Sequence, residues 1–127
     1  MPQQKKGLLG EQAALDHLLA AGLTLVELNY RCRLGEIDLI MQEPSALGST
    51  LVFVEVRYRN TQQFGGAAAS VNPTKQKKII RAAQHFLKTH TRLGKQPARF
   101  DVVALTGKPE DPELRWIRQA FTQLPTR

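Results

Sequence analysis

The apolar stretch LVFVEVRY, from Leu51 to Tyr58, limits the choice of fold more than any other part of the sequence. Its run of β-branched and aromatic residues predicts a strand buried inside a sheet, but its fifth residue is Glu55. An unpaired carboxylate inside a protein costs several kcal/mol. The fold must therefore bring a compensating group to Glu55.

The patterns on either side place this strand in a single α/β domain covering residues 1–127. Leucines recur at helical spacing before it, and Asn72-Pro73 supplies a side-chain cap and a first-turn proline for a second helix. The predicted elements are a helix over 7–21, strands over 24–30, 35–42 and 50–58, a helix from 73 to about 90, a strand over 98–105 and a short strand over 114–121. Helices and strands in this order predict a mixed β-sheet with helices packed on it.

Composition excludes several classes of protein. The apolar runs are shorter than the roughly 20 residues that a membrane span needs, and charges interrupt the first residues too early for a signal peptide, so we predict a cytoplasmic protein without membrane association. The single cysteine, Cys32, excludes an internal disulfide. The three histidines have no zinc-type spacing, so carboxylates would have to hold any metal ion.

Positive charge is concentrated in one segment. The net charge is +7, and residues 75–99 contain eight lysines and arginines but no aspartate or glutamate. Such segregation predicts contact with a polyanion such as nucleic acid, although a solvated basic face would give the same pattern. The candidate nucleic-acid-binding residues are Arg59, Lys75, Lys77, Lys78, Arg81 and Lys88.

Two further acids share one face of the strand before the central one. A hairpin centred on the loop 43–50 pairs residues whose numbers add up to 93, which places Asp38 opposite Glu55 and Glu36 opposite Arg57. Two carboxylates facing each other repel unless a cation lies between them, and Mg²⁺ or Mn²⁺ prefers such oxygen ligands. Ordinary ion pairs with arginine are the alternative, and the spacing alone does not decide between the two.

The first helix supplies another acid. Glu11 lies three residues after one leucine of the helix and four before another, so we expect it to point inward or to lie at the rim of the core. A glutamate near a helix N-terminus is also favoured by the helix dipole alone.

Four ordered motifs are familiar: Gly10-Glu11, Gly35-Glu36-Ile37-Asp38, Val52-Phe53-Val54-Glu55-Val56-Arg57 and Arg99-Phe100-Asp101-Val102. In this order they resemble the YraN family of small bacterial proteins, over about residues 7–121. That family is similar to Holliday-junction resolvases and to PD-(D/E)XK nucleases, whose restriction-endonuclease-like fold is a mixed central β-sheet flanked by α-helices.

The resemblance implies a catalytic site and its roles. Glu11, Asp38 and Glu55 match the acids of the nuclease motif, with Asp38 and Glu55 as ligands of Mg²⁺ or Mn²⁺ helped by the Val56 carbonyl. Arg57 occupies the position that usually holds lysine. Since arginine keeps its proton, it can stabilise charge on a phosphate, but it is not expected to activate water.

Three hypotheses follow for function. The first is a metal-dependent endonuclease acting on DNA, including branched or structured DNA. The second is a nucleic-acid-binding module of the same fold that has lost cleavage. The third is a basic interaction subunit of a DNA-repair or ribosome-associated assembly. Resolvase-like proteins often act as dimers, so the resemblance also implies a possible homodimer. The residues themselves do not determine the oligomeric state.

Overall fold

The computed structural model describes residues 3–58 and 71–122, with side chains from residue 7 onward. Two helices and five strands make up these ranges, together with a short 3-10 turn at Leu93–Lys95. The elements are α1 (Gln3–Ala20), β1 (Thr24–Cys32), β2 (Gly35–Ser45), β3 (Gly48–Tyr58), α2 (Pro73–Thr89), β4 (Ala98–Lys108) and β5 (Asp111–Phe121). Each predicted helix and strand is present, and the last strand is longer than expected.

The five strands form one mixed sheet in the order β1-β2-β3-β4-β5. β1, β2 and β3 pair as an antiparallel meander, β3 and β4 are parallel because α2 connects them, and β5 returns antiparallel to β4. The predicted α/β class with mixed pairing is confirmed, and the arrangement is consistent with a restriction-endonuclease-like fold.

Each face of the sheet carries one helix and one apolar core. α2 buries Ile79, Ala83 and Phe86 against the face that includes Phe53 and Phe100. The second core packs α1 on the other face, and its members include Ala14, Leu18, Leu39, Val54 and Leu105. Glu55 follows Phe53 at a distance of two residues, so it belongs to the α2 face.

The buried side of α1 differs from the predicted one. Leucine spacing predicted that Leu8 and Leu19 would pack together with Leu15 and Leu18, but Leu8 is 65% exposed and Leu19 is 45% exposed. Leu18 is fully buried and Leu15 partly buried as predicted, but Gly10 and Ala14 complete the buried side in place of Leu8 and Leu19. A Cβ at Gly10 would lie 3.0 Å from Leu105 Cδ1, so small residues let the helix approach the sheet closely where leucines could not.

The register of the β2–β3 hairpin is the predicted one. Pairs run from Leu39–Val54 to Ser45–Gly48, and the residue numbers of each pair add up to 93. Both strands extend into the segment 43–50 that was predicted as a loop, so that only a two-residue turn at positions 46 and 47 remains. The ladder ends at Leu39–Val54, one pair short of Asp38 and Glu55.

A buried ion pair joins the sheet on the side away from Glu55. Asp101 is fully buried and accepts hydrogen bonds from Arg99 Nε at 2.9 Å, from Trp116 Nε1 at 2.9 Å and from the backbone N–H of Gln119 at 2.9 Å. Arg99 also donates to Glu43 at 2.6 Å. These bonds connect β2, β4 and β5, so the Arg99-Phe100-Asp101-Val102 motif has a structural explanation.

The helices of the described ranges are not long and apolar enough to cross a membrane.

Candidate functional site

The regular alternation of side chains between the two faces of the sheet is interrupted in β2 at Asp38. Ile37 belongs to the core beneath α2, whereas Leu39 belongs to the core beneath α1, although residues two apart in a regular strand share a face. Across the β1–β2 ladder, Asn29 stands opposite this point, between the pairs Leu28–Leu39 and Tyr30–Ile37, and has a positive φ of 52°. The irregularity lets Asp38 reach β3 at the place where the regular pairing ends.

Asp38 and Glu55 form one carboxylate pair, in which Glu55 is buried and Asp38 is half-buried. Asp38 Oδ2 accepts a hydrogen bond of 2.8 Å from the backbone N–H of Val56, the residue after Glu55, and the charge of Asp38 acts on Glu55. Burial and the charge of Asp38 raise the pKa of Glu55 to about 8, and burial also raises the pKa of Asp38. The protonated form of Glu55 is therefore favoured at neutral pH, because burial and the charge of Asp38 both oppose its ionisation.

Two cations compensate this pair. Lys75 Nζ lies 3.6 Å from Glu55 Oε2, and Arg57 Nη1 lies 3.7 Å from the same oxygen. Lys75 sits in the first turn of α2, where its backbone N–H is capped by Asn72 Oδ1 at 2.8 Å. The glutamate in the apolar strand is thus compensated by a proton, by a neighbour on its own strand and by a lysine from the helix above it.

Glu11 lies near the pair but outside it. Its side chain is half-buried at the edge of α1, and burial together with the charge of Asp38 raises its pKa, while a hydrogen bond from Asn29 acts in the opposite direction. Glu36 instead forms an ion pair with Arg31 across the β1–β2 ladder, with Arg31 Nε 3.3 Å from Glu36 Oε2. The predicted pairing of Glu36 with Arg57 does not occur in the ladder, because the β2–β3 pairing has already ended.

The donor set suits a hard cation that keeps other ligands of its own. Within residues 3–58 and 71–122, no three His, Cys, Asp or Glu side chains come together closely enough to hold a metal ion. Mg²⁺ is often held by one or two protein carboxylates, with water and substrate phosphate completing its shell. Asp38 and Glu55 are two such carboxylates, and they lie on the neighbouring strands β2 and β3.

The predicted basic residues divide between two depressions along α2. The first, which we call the hairpin cleft, has a volume of about 430 Å³ and lies between the β1–β2 turn and the start of α2, with Lys75, Lys78, Arg33 and Glu36 in its lining. The second, the helix groove, has a volume of about 570 Å³, and its lining includes Leu34, Arg81, His85, Leu87, Lys88 and Lys95. Lys77 is not in the lining of either one. Arg59 lies outside the described residues.

The β1–β2 turn and α2 are in direct contact at Gly35. A Cβ at this position would lie 2.9 Å from the backbone oxygen of Lys78, so a residue with a side chain would push the helix away. Neither this contact nor the position of Arg33 was predicted from the sequence, although Gly35 belongs to the motif Gly35-Glu36-Ile37-Asp38. The hairpin cleft depends on this contact.

Comparison with known sequences assigns the chain to a family. The profile of the uncharacterised protein family UPF0102 matches residues 10–105, a range that includes every residue of the carboxylate site. The chain belongs to the UPF0102 family. The resemblance to YraN proteins is thereby confirmed, since both designations refer to one family.

Relatives in this family match nearly the whole chain. A UPF0102 protein of Stutzerimonas stutzeri is 51% identical over 118 residues, which are 93% of this chain and 95% of the relative. A UPF0102 protein of Nitrosomonas europaea is 51% identical over 118 residues, with 93% and 94% of the two chains covered. A UPF0102 protein of Legionella pneumophila is 48% identical over 118 residues, with 93% and 95% covered.

Proposed function

We propose that this UPF0102 protein is a Mg²⁺- or Mn²⁺-dependent endonuclease that hydrolyses phosphodiester bonds in DNA. The observation that carries the proposal is the position of two carboxylates on neighbouring strands. Asp38 binds the backbone N–H next to Glu55, and buried Glu55 has Lys75 and Arg57 within 4 Å of one carboxylate oxygen. Two carboxylates held close together with little access to water destabilise a fold unless a bound cation or a proton compensates their charge. A cation-binding site is the use that oxygen donors of this kind suit best.

The residues divide the chemistry among themselves. Asp38 and Glu55 would hold the metal ion together with the backbone carbonyl of Val56, and the backbone N–H of Val56 donates to Asp38. A bound divalent cation lowers the pKa of water and offsets the negative charge on a phosphate. Lys75 keeps Glu55 in place and presents an ammonium group to the hairpin cleft, and Arg57 adds a guanidinium on the same face of β3. Both cations can stabilise the charge that develops on the phosphate.

A nucleic-acid-binding module without cleavage is the second candidate, and Arg57 favours it. Its guanidinium does not give up a proton at physiological pH, so this position cannot supply the base that a lysine could. Lys75 lies 3.6 Å from the same oxygen of Glu55 and supplies a second cation there, so the two candidates are distinguished by whether the wild type cleaves DNA.

The experiment that tests the proposal is cleavage of labelled DNA in Mg²⁺ and in Mn²⁺. Four-way junction, linear duplex and single-stranded DNA should be compared for the wild type, Glu55→Gln and Arg57→Lys. We expect cutting by the wild type that Glu55→Gln abolishes. Activity that appears only in Arg57→Lys would support the binding module, and identical cutting by the wild type and Glu55→Gln would refute the carboxylate site.

Binding to backbone phosphate carries its own signature. The logarithm of the association constant should fall linearly with the logarithm of salt concentration, with a slope set by the number of phosphates contacted. These contacts carry no base information, so affinity should be nearly independent of sequence. A flat salt response would refute nucleic acid as the partner.

The homodimer is a prediction that rests on the resolvase resemblance. Edge strand β1 supports it to the extent that Leu25 and Leu28 are exposed along it. Light scattering across the working concentration range measures the mass directly, and a monomer at all concentrations would refute a dimer.

A further inference from the structure

We propose that an unpaired nucleic-acid strand runs along α2 from the carboxylate site and places a base in the helix groove, so that the preferred substrate has a single-stranded segment. This inference rests on the proposed function and adds its substrate class. It concerns the groove bordered by Leu34, Arg81, His85, Leu87, Lys88 and Lys95, which lies beyond the carboxylates.

The path is continuous along one side of the helix. Lys75 and Lys78 line the hairpin cleft, Arg81 and Lys88 line the helix groove, and Leu34 belongs to both linings. At a rise of 1.5 Å per residue, the cations from Lys75 to Lys88 extend over ~20 Å of helix. Lys75 also contacts Glu55. A nucleic-acid strand bound at the carboxylate site would therefore find a row of positive charges leading along α2 to the helix groove.

The charge around the groove selects an anionic occupant. Three cations border it, and the segment 75–99 from which most of its lining comes contains no acidic residue. An apolar peptide or an uncharged ligand would leave these cations without a counter-charge. A phosphate backbone places one negative charge at every nucleotide, which suits a row of lysine and arginine side chains.

The inner surface of the groove suits a base. Leu34 is 44% exposed and Leu87 is partly buried, and the exposed ring of His85 is fixed by a hydrogen bond of 2.6 Å between its Nδ1 and the hydroxyl of buried Tyr30. Unpaired bases stack on flat rings of this kind and pack on apolar side chains. The bases of an intact duplex stay in the helical stack and reach such a groove only if they are flipped out.

The test measures binding in EDTA, so that cleavage plays no part. Fluorescence anisotropy should compare a labelled single-stranded oligonucleotide, a blunt duplex of the same sequence and a duplex with splayed ends. We expect His85→Ala to weaken binding of the single strand and of the splayed duplex by about fivefold or more, and to change blunt-duplex binding by less than about twofold.

Matched variants control for charge and folding. His17→Ala removes an exposed histidine on the other face of the sheet and should change none of the three affinities. Leu34→Ser preserves the Tyr30–His85 bond and should reproduce the selective loss, whereas Leu8→Ser, at a more exposed leucine of α1, should not. Lys88→Gln should weaken binding of all three nucleic acids and Lys77→Gln should do so less, because only Lys88 lines the groove.

Several outcomes would overturn the inference. Equal losses for single strand and blunt duplex in His85→Ala and Leu34→Ser would mean that no base enters the groove, and so would unchanged binding in both variants. Displacement of the oligonucleotide by polyglutamate at equal charge concentration would identify an acidic protein segment as the occupant.

The two proposals fail separately. Cleavage that depends on Glu55, without any selective effect of His85→Ala, would keep the nuclease and refute the strand path. Selective loss of single-strand binding in a protein that cuts no DNA would keep the strand path and refute the nuclease.

Discussion

Lys75 Nζ and Glu55 Oε2 lie 3.6 Å apart, although the two residues are twenty positions apart and belong to α2 and β3. The contact follows from the parallel pairing of β3 and β4, which requires a crossover helix that returns over the sheet. Asn72 fixes the start of that helix, so the helical phase turns Lys75 toward the sheet and the later cations away from it. The lysine therefore reaches the carboxylates from above.

The stability of the metal-free protein should fall as the pH rises. Folding raises the pKa of Glu55 from 4.5 to about 8, so the folded state binds a proton that the unfolded state has lost. The associated stability is complete below about pH 4.5 and is lost as the pH rises through 8, by a few kcal/mol at most. Urea unfolding in EDTA between pH 5 and 9 measures it.

The control for this pH dependence is Glu55→Gln, which should flatten the fall. Glu36→Gln, at an exposed ion pair, should leave the fall as it is in the wild type. A free energy of unfolding that increases between pH 6 and 8 in the wild type would contradict the raised pKa of Glu55.

Under the proposed mechanism, Lys75→Met should reduce cleavage by about 100-fold or more, because it removes one of the two cations proposed to stabilise the phosphate. The matched variant Lys77→Met removes the same charge from the same helix turn, two positions away, and should retain most of the activity. Initial rates at saturating metal ion and DNA give the comparison. Equal rates for the two variants would assign Lys75 to general attraction of DNA.

Gly35→Ala should destabilise the fold by about 1–3 kcal/mol, because its Cβ would lie 2.9 Å from the Lys78 backbone oxygen. Displacement of α2 should also widen the hairpin cleft and weaken DNA binding. Gly7→Ala is the control, since a Cβ there meets nothing within 4 Å and alanine favours a helix. Thermal unfolding and anisotropy measure both effects, and equal stability of the two variants would argue against the close contact.

Asp101→Asn should cost about 3 kcal/mol of unfolding free energy, because it leaves the guanidinium of Arg99 in a buried place without its full counter-charge. Cleavage by the folded fraction should be unchanged, since Asp101 lies on the opposite face of the sheet from Glu55. Asp111→Asn, at the exposed start of β5, should change stability by less than about 0.5 kcal/mol. Lost cleavage in a fully folded Asp101→Asn protein would give this motif a role beyond structure.

The sheet could be predicted because apolar runs and turn residues fix strand order and register locally. The sum of 93 for β2 and β3 followed from one loop, and it holds from Ser45–Gly48 to Leu39–Val54. The end of that ladder could not be predicted, since period-two patterning continues through Asp38. The interruption of side-chain alternation at Asp38 depends on how the two cores on opposite faces of the sheet are packed.

The buried side of helix α1 could be predicted only in part. Leucine spacing was correct for Leu15 and Leu18 but wrong for Leu8 and Leu19, because distance to the sheet, and not side-chain size alone, decides which residues are covered. Gly10 and Ala14 allow close approach, and Leu8 is left in solvent. Lys75 could be predicted to lie toward the sheet from helical phase alone, whereas its specific partner required the three-dimensional fold.

The sole tryptophan, Trp116, bonds to Asp101 and has the guanidinium of Arg118 4.0 Å above its ring, on the α1 side of the sheet. Its fluorescence therefore reports on the β4–β5 hairpin. Occupation of the carboxylates on the opposite face should leave that emission nearly unchanged, whereas loosening of the last strand should alter it at once. The chain thus contains a natural optical probe that distinguishes opening of its edge from events at Glu55.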